Sequence, residues 1–373
     1  MKIDVFDLER IQSLYENKVD YNLTETGVHP YSLKELLDNE EMEQMTALRL
    51  GYGQTDGDDA LKETISGLYP GAGPANVLVT NGSAEANFIF TWSVPKPGDE
   101  LILMLPNYMQ IWGLARSFAI TVKPFYLKEE SDWRPDIDEL RRQITSKTGV
   151  IALCNPNNPT GAVLTEKEMG EIIDLAEQAG AWLYVDEIYR GAELEGAETP
   201  TFYGRYDKVV VNGGLSKAYG LPGLRIGWLV GPADIIAESW AYHDYTTIST
   251  GMLSQWLAAR VLRPERRKKI LERNRKRLKE NINVLRQWVE SHKGQFRFIP
   301  PRAGGMAFLR YFMDINSREL AARLRKEKSV FIIDGDCFGM DRFVRIGFGS
   351  EKHYLSTALD RIHQWMKSNQ FFD

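Results

Sequence analysis

The sequence predicts an α/β fold, with a mainly parallel central sheet covered by helices and a smaller α+β domain beside it. Two observations carry this. The middle of the 373-residue chain alternates short apolar runs with longer amphipathic stretches, the pattern of strands joined by covering helices. After about residue 255 the texture changes to one long charged helix, then short strands around a further helix. A chain of this length is expected to divide. The change of texture puts residues 45–260 in a large domain, and 1–44 with 261–373 in a small one.

Taken in order, Val77–Thr80, Leu101–Leu105, Ile120–Tyr126, Val150–Cys154, Trp182–Asp186, Val209–Asn212 and Arg225–Val230 read as strands. They are rich in Val, Ile, Leu and Tyr, and several are apolar on both faces, as strands inside a covered sheet are. Thr165–Ala179 reads as a helix between two of them, with Met169, Ile172, Ile173 and Ala176 near helical spacing. Arg263–Val289 reads as one helix with Leu271, Leu278, Ile282, Leu285 and Val289 on a single face. Its Arg and Lys residues are interspersed with acids, which makes them a solvated face rather than a nucleic-acid patch. Phe296–Pro300, Met306–Tyr311, Val330–Ile333 and Phe343–Ile346 then read as strands around the helix Ser317–Lys326.

Bulk properties narrow the function. The net charge of −5 argues against a nucleic-acid partner, because phosphate backbones call for a basic surface. Two cysteines, Cys154 and Cys337, build neither a disulfide framework nor a zinc site, and they read as small core residues. No metal site is expected. The opening MKIDVFDLERIQ carries acids and lacks the apolar run of a signal peptide. No segment has the apolar length of a membrane helix. A cytoplasmic location without membrane attachment is the expectation.

The chemistry concentrates in Gly213-Gly-Leu-Ser-Lys-Ala-Tyr-Gly-Leu-Pro-Gly-Leu-Arg-Ile-Gly-Trp228, where Lys217 sits in a Gly-rich loop and Arg225 follows eight residues later. Glycine lets backbone approach a ligand closely, and an apolar loop favours the nucleophilic, neutral amine. The spacing is not that of a P-loop. This stretch resembles the lysine signature of the class I and II aminotransferases, pyridoxal-phosphate enzymes of fold type I. Cys154-Asn-Pro-Asn-Asn-Pro-Thr-Gly161 is similar to that family's Asn-Pro-Thr-Gly turn. Tyr184-Val-Asp-Glu-Ile-Tyr189 is similar to its strand-end Asp with Tyr three residues on. Asn81-Gly-Ser-Ala-Glu-Ala86 is similar to its phosphate-binding helix start, and Val344-Arg-Ile-Gly-Phe348 to its carboxylate-binding Arg. Together they cover roughly residues 20 to 350.

The resemblance implies pyridoxal 5'-phosphate as cofactor, carried by Lys217 as a Schiff base, with the same lysine later moving the Cα proton. It implies that Asp186 keeps the ring nitrogen protonated, that Tyr189 and Asn158 hydrogen-bond the phenolic oxygen, and that Tyr108 stacks on the ring. Ser83, Ala84 and Arg225 are implied to hold the phosphate. Tyr52 is implied to reach the phosphate of a neighbouring subunit, which makes the expected assembly a homodimer with the active site at its interface. Arg345 is implied to bind the substrate α-carboxylate, with Asn158 beside it and the Gly27 backbone closing over it. Where many members have Ser three residues before the lysine, this chain has Gly214. The implied reaction moves an amino group between an L-amino acid and a 2-keto acid. Gly27-Val-His29, Gly213–Trp228 and His243–Ser249 also resemble the capreomycidine-synthase branch, which implies β-elimination and cyclisation of an amino acid as the alternative. His29, Arg302 and Arg116 are candidates for reading the substrate side chain, while His243 reads as structural.

Overall fold

The computed structural model describes residues 3–292 and 294–371. The outermost residues of the expected small domain, 1–2 and 372–373, lie outside the described residues. One sheet has eight strands: β1 (Val77–Thr80), β2 (Glu100–Leu105), β3 (Thr121–Lys128), β4 (Arg134–Pro135), β5 (Thr148–Cys154), β6 (Trp182–Asp186), β7 (Val209–Gly214) and β8 (Gly227–Val230). Across the sheet they run β1-β8-β7-β6-β5-β2-β3-β4. Strands β3, β2, β5, β6 and β7 pair in parallel. β8 is antiparallel to both its neighbours, and β4 is antiparallel to β3. Because β8 reverses direction between β1 and β7, β1 runs the same way as the parallel set. Its C-terminal end therefore reaches the same edge as Cys154, Asp186 and Asn212, which are in register.

Both faces of this sheet are covered, and the strand sequences say why. Successive residues point to opposite faces. Ile102, Met104, Ile151, Leu153, Leu183 and Val185 enter the main core, whereas Leu101, Leu103, Val150, Ala152, Tyr184 and Val210 enter a second cluster. That second cluster lies under the helix Ser83–Ser93, whose Phe90 stacks on Tyr184 at 4.0 Å between ring centroids. On the other side, the helix Glu166–Ala179 begins at the Thr165 cap, with Glu168 returning the hydrogen bond, and ends at left-handed Gly180 (φ 63°).

A second, antiparallel sheet is built from β9 (Phe296–Phe298), β10 (Met306–Tyr311), β11 (Ile333–Asp334) and β12 (Phe343–Gly347), in the order β9-β10-β12-β11. Three expectations shift here and at the lysine loop. The single strand expected over Val330–Ile333 is divided: Val330–Phe331 pairs in parallel with Tyr21–Asn22, and after Ile332 the chain changes partner to β12. All four residues are buried, so apolar patterning carries no mark of the switch. β9 stops before Pro300 and Pro301, which have no N–H for a ladder. Arg225 is not in a strand. It sits at φ 52° as the left-handed end of a short 3₁₀ turn, and β8 begins at Gly227.

The helix Pro264–Ser291 buries Leu271, Leu278, Ile282, Leu285 and Val289 on the expected face. Two buried asparagines on it tie the parts together. Asn274 Nδ2 donates to the Ala218 carbonyl (2.9 Å), beside the lysine, and Asn281 Nδ2 donates to the carbonyls of Phe348 and Ser350 (2.7 Å each), just after β12. Cys154 and Cys337 are buried and unpaired. No described helix is long and apolar enough to cross a membrane.

Candidate active site

A cavity of about 270 Å³ opens beside the carboxyl ends of β5 and β6, the crevice where ligands of open α/β sheets bind. Lys217 reaches it from the loop that follows β7. That loop is pinned by the Leu215 N–H to the Ile226 carbonyl and by Asn274. Lys217 Nζ lies 2.6 Å from Glu25 Oε1.

Asp186 ends β6 and is 8% exposed. Burial pushes its carboxyl up to about 6, against the Ile188 N–H, Asn87 and Lys217, which favour the charged form. Its surroundings are fixed by a buried amide. Asn87 Oδ1 accepts from Tyr184 Oη (2.6 Å) and from Asn212 Nδ2 (3.0 Å), and Asn87 Nδ2 donates to Gln110 Oε1 (3.0 Å). Tyr189 and Asn158 flank the same cavity. The Tyr189 hydroxyl is 2.7 Å from Thr26 Oγ1, and burial raises its pKa well above the ordinary phenol value.

Ser83 and Ala84 open the Ser83–Ser93 helix at the cavity wall, where unpaired N–H groups and the helix dipole attract an anion. The helix reaches this position because Gly82 (φ +82°) and Gly227 let backbones come together. A Cβ on Gly227 would lie 2.4 Å from both Gly82 C and Ser83 N, and a Cβ on Gly82 would lie 2.4 Å from Arg225 Nη2. Arg225 thus crosses directly over the helix start. Gly214 also has a packing reason: a Cβ there would meet Ile188 Cδ1 at 2.8 Å and the Ile226 carbonyl at 3.0 Å. Serine at this position would have to displace the Ile188 Cδ1 methyl and press on the Ile226 carbonyl.

Tyr108 lines the cavity with its hydroxyl donating to Glu9 Oε1 (2.7 Å) and its ring edge-on to Phe6 at 4.8 Å. Arg345, in the middle of β12, is 2% exposed. Its Nη1 donates to Asn158 Oδ1 and its Nη2 to the Thr24 carbonyl, each at 2.9 Å, while its Nε–H has no partner among the described residues. A buried guanidinium with an unmet donor at a cavity wall is built to receive an anion.

Two expected site residues stand apart from the cavity. Gly27 packs on the backbone of Ser216 and Lys217, and its N–H is taken by Glu25 Oε1 at 2.9 Å. Tyr52 is 92% exposed and reaches no part of this chain's cavity. The three side-chain readers weighed from sequence are also elsewhere. Arg302 lines a separate cavity with Glu198 and Lys279, His29 lines another beside Glu351, and Arg116 lies on the helix Gln110–Ser117.

In their place stands a group with no motif to announce it. Glu9, Gln12 and Glu16 come from the N-terminal helical segment, and Thr24, Glu25 and Thr26 from the extended stretch after it. Burial works against the Glu25 charge, yet the Lys217 ammonium and the N–H groups of Gly27 and Thr26 hold its carboxyl down at about 2. The only local sign of this group is a polar Thr-Glu-Thr run before Gly27.

An amine, a buried carboxylate at a strand end, a helix N-terminus crossed by an arginine, an aromatic wall and an unmet buried guanidinium together fit pyridoxal phosphate and an amino-acid carboxylate. Comparison with known proteins agrees. Residues 20–362 match the family described as aminotransferase class I and II. The chain is similar to the crystal structure of a pyridoxal-phosphate-dependent aminotransferase from Streptococcus suis, with 32% identity, a TM-score of 0.93 and 99% of each chain covered. It is 29% identical over 358 residues to capreomycidine synthase of Streptomyces vinaceus, covering 94% of this chain and 90% of that one. It is 26% identical over 303 residues to aromatic-amino-acid aminotransferase 2 of Thermococcus litoralis, covering 79% and 77%. With lysine, aspartate and arginine gathered at one cavity, a whole-length fold match and a family match over most of its length, the chain belongs to the class I and II aminotransferases of fold type I, and its cofactor is pyridoxal phosphate.

Proposed function

We propose that this enzyme transfers the amino group of an L-amino acid to a 2-keto acid. The observation that carries the reading is the shared cavity of Lys217, Asp186 and Arg345, which supplies in one place an amine, a carboxylate for a ring nitrogen and a seat for a carboxylate. Pyridoxal phosphate, when bound, supplies an electron sink for the electrons released at the substrate Cα.

The chain's own residues do the rest. Lys217 anchors the cofactor and, once released, carries the proton away from Cα. Asp186 presents its carboxylate to the ring nitrogen, and the positive charge there offsets the burial that otherwise pushes this carboxyl up. Tyr189 and the amide nitrogen of Asn158 donate to the phenolic oxygen; Asn158 Oδ1 is already held by Arg345. Ser83, Ala84 and Arg225 hold the phosphate, and Tyr108 presses on the ring face. Arg345 fixes the α-carboxylate, which sets the Cα–H bond across the ring plane.

The same reading makes the protein a cytoplasmic homodimer. Tyr52 at 92% exposure, with Leu50 at 77%, supports a second copy covering this segment and receiving Tyr52 at its phosphate. The buried thiols are consistent with a reducing compartment. Residues 45–260 then act as the cofactor-bearing domain, and 1–44 with 261–373 as the unit that closes over substrate.

A second reading is favoured by the likeness to capreomycidine synthase over nearly the whole chain: after proton loss from Cα, a β-substituent departs and the side chain cyclises. Adding amino acids one at a time, without keto acid, to the enzyme loaded with cofactor separates the two. Loss of the visible absorbance with one equivalent of keto acid per site supports transamination. Persistent absorbance with many turnovers of ammonia or a cyclic product supports the second reading. If Lys217→Ala retains the wild-type visible band, both readings are wrong.

A further inference from the structure

The helix Ser83–Ser93 lays Ala86, Ile89 and Phe90 on the second core cluster, and one residue breaks that apolar face. Asn87 is 2% exposed, and a polar group so placed costs stability unless it is paired. Here the pairing is complete. A primary amide has two donor hydrogens and two acceptor lone pairs. Asn87 Oδ1 accepts from the Tyr184 hydroxyl and the Asn212 amide, while Nδ2 donates to Gln110 Oε1 and to the Asp186 carboxyl. All four places are used, so the amide has one orientation, with its hydrogens toward Gln110 and Asp186.

Strand geometry explains why these groups meet. Tyr184 and Asp186 are two residues apart on β6 and share a face, the one that lies under this helix. Asn212 stands beside Asp186 in the register of β7. It gives its amide hydrogens to Asn87 Oδ1 and to the Ser83 carbonyl, and its own Oδ1 has no donor among the described residues. An unmet buried acceptor costs stability, and that cost falls on Asn212 while Asn87 stays saturated. On the other side, Gln110 Nε2 donates to the Ala84 carbonyl (2.9 Å). Asn87 therefore joins the carboxylate at one end of the proposed cofactor seat to the helix start at the other, and a saturated buried network of this kind holds one geometry.

The carboxylate needs that help. Asp186 and a ring nitrogen facing it share one proton, and the ring is a strong electron sink only with the proton on nitrogen. Burial pulls the other way, because it favours the neutral carboxylic acid. The Ile188 N–H (3.0 Å) opposes burial from the backbone, and Asn87 opposes it from a side chain. We infer that Asn87 is a positioning residue that acts through Asp186, its amide donor keeping the shared proton on the cofactor nitrogen rather than on the carboxyl.

This rests on the reading of Asp186 as the partner of the ring nitrogen, and one experiment separates the two. The wild-type protein and its variants are loaded with pyridoxal phosphate carrying nitrogen-15 in the ring. NMR at neutral pH then places the ring signal between its protonated and unprotonated limits. The wild-type signal should lie toward the protonated limit. Asn87→Leu replaces the amide by an apolar group of similar size, and the ratio of protonated to unprotonated nitrogen should fall about ten-fold or more, the effect of losing a hydrogen bond to a charged group. Tyr184→Phe strips a partner from Oδ1 but leaves both amide donors, so it should keep the wild-type ratio even where it lowers stability. If Asn87→Leu does not fold, Asn87→Ser carries the same expectation, since it keeps a polar group without the amide donors. A wild-type ratio in the Asn87 variant, or an equal fall in Tyr184→Phe, would overturn the inference and leave Asn87 a packing role. Asp186→Asn should send the signal to the unprotonated limit. A wild-type ratio in Asp186→Asn would overturn the underlying reading, and this inference with it.

Discussion

Replacing Gly227 by alanine probes the proposed phosphate seat. The added Cβ would lie 2.4 Å from Gly82 C and Ser83 N, where ordinary contact begins at 3.4 Å, so one side has to move by about 1 Å. β8 is poorly placed to yield, because Gly227 is paired with Thr80 on one side and Gly214 on the other. The start of the Ser83–Ser93 helix therefore retreats. A retreat of about 1 Å takes an N–H donor from about 2.9 Å to about 3.9 Å from its acceptor, beyond hydrogen-bonding distance. One hydrogen bond to a charged group is worth about 1.5–3 kcal/mol, which corresponds to a roughly 10- to 150-fold weaker cofactor affinity. Overpacking adds about 1–3 kcal/mol of lost folding stability. Titrating the cofactor-depleted variant with pyridoxal phosphate by visible absorbance, beside urea unfolding, measures both. Wild-type affinity in a destabilised variant would mean that the helix start does not hold the phosphate. Wild-type stability would mean that the backbone approach is looser than described.

Arg345→Ala removes the buried fork that Asn158 and the Thr24 carbonyl hold in place; truncation of such a group costs about 2–5 kcal/mol, so kcat/KM should fall at least roughly 30-fold, and an unchanged value would refute the carboxylate seat. Tyr184→Phe strips the buried hydroxyl from Asn87 and should lower stability by about 1–2 kcal/mol in urea; no change would show that the Asn87 network is not under strain when one donor is lost. Glu85 accepts from the hydroxyls of Thr246 (2.6 Å) and Thr247 (2.8 Å) and faces His243 Nε2 at 3.2 Å. Burial opposes its charge, but hydrogen bonds from His243, Thr246 and the Asn81 N–H hold its carboxyl at about 2. That value lies below the unfolded carboxyl near ~4.3, so the stabilisation is fully present above that pH and is lost as pH falls toward 2. Glu85→Gln should cost about 2 kcal/mol at neutral pH, with the gap from wild type closing as the unfolding is repeated down to acid pH; a gap independent of pH would show that the charge plays no part.

What the sequence made legible follows how local each feature is. Asp186 closes an apolar strand and Lys217 lies in a Gly-rich loop after another, so periodicity and turn chemistry mark the two local settings, while the roles come from the family resemblance and the shared sheet edge from the strand register. Arg345 and Asn158 carry no local signal beyond the family resemblance, and their hydrogen bond spans 187 positions of chain. Glu25 meets Lys217 across 192 positions with no pattern of its own, and Glu9 and Glu16 look like the wet side of an ordinary amphipathic helix. Arg302 and Arg116 are basic residues near suggestive glycines or apolar runs, and nothing local reveals which cavity a loop turns toward. The same holds for Val330–Asp334, where a uniform apolar run conceals a change of partner that only tertiary packing decides. Gly214 is the opposite case: a departure from the usual Ser reads as a missing ligand, yet the space around it is filled by Ile188 and the backbone of Ile226.

The two asparagine ties on the helix Pro264–Ser291 have a mechanical consequence. Asn274 and Asn281 are seven residues apart, about 10.5 Å along a helix axis, and they grip the backbone beside the lysine and the backbone just after the arginine strand. A single stiff rod therefore clamps both halves of the proposed catalytic apparatus. Loosening one end means breaking buried hydrogen bonds on the helix that also steadies the other, so the lysine loop and the arginine strand should lose protection from hydrogen exchange together, as one cooperative unit.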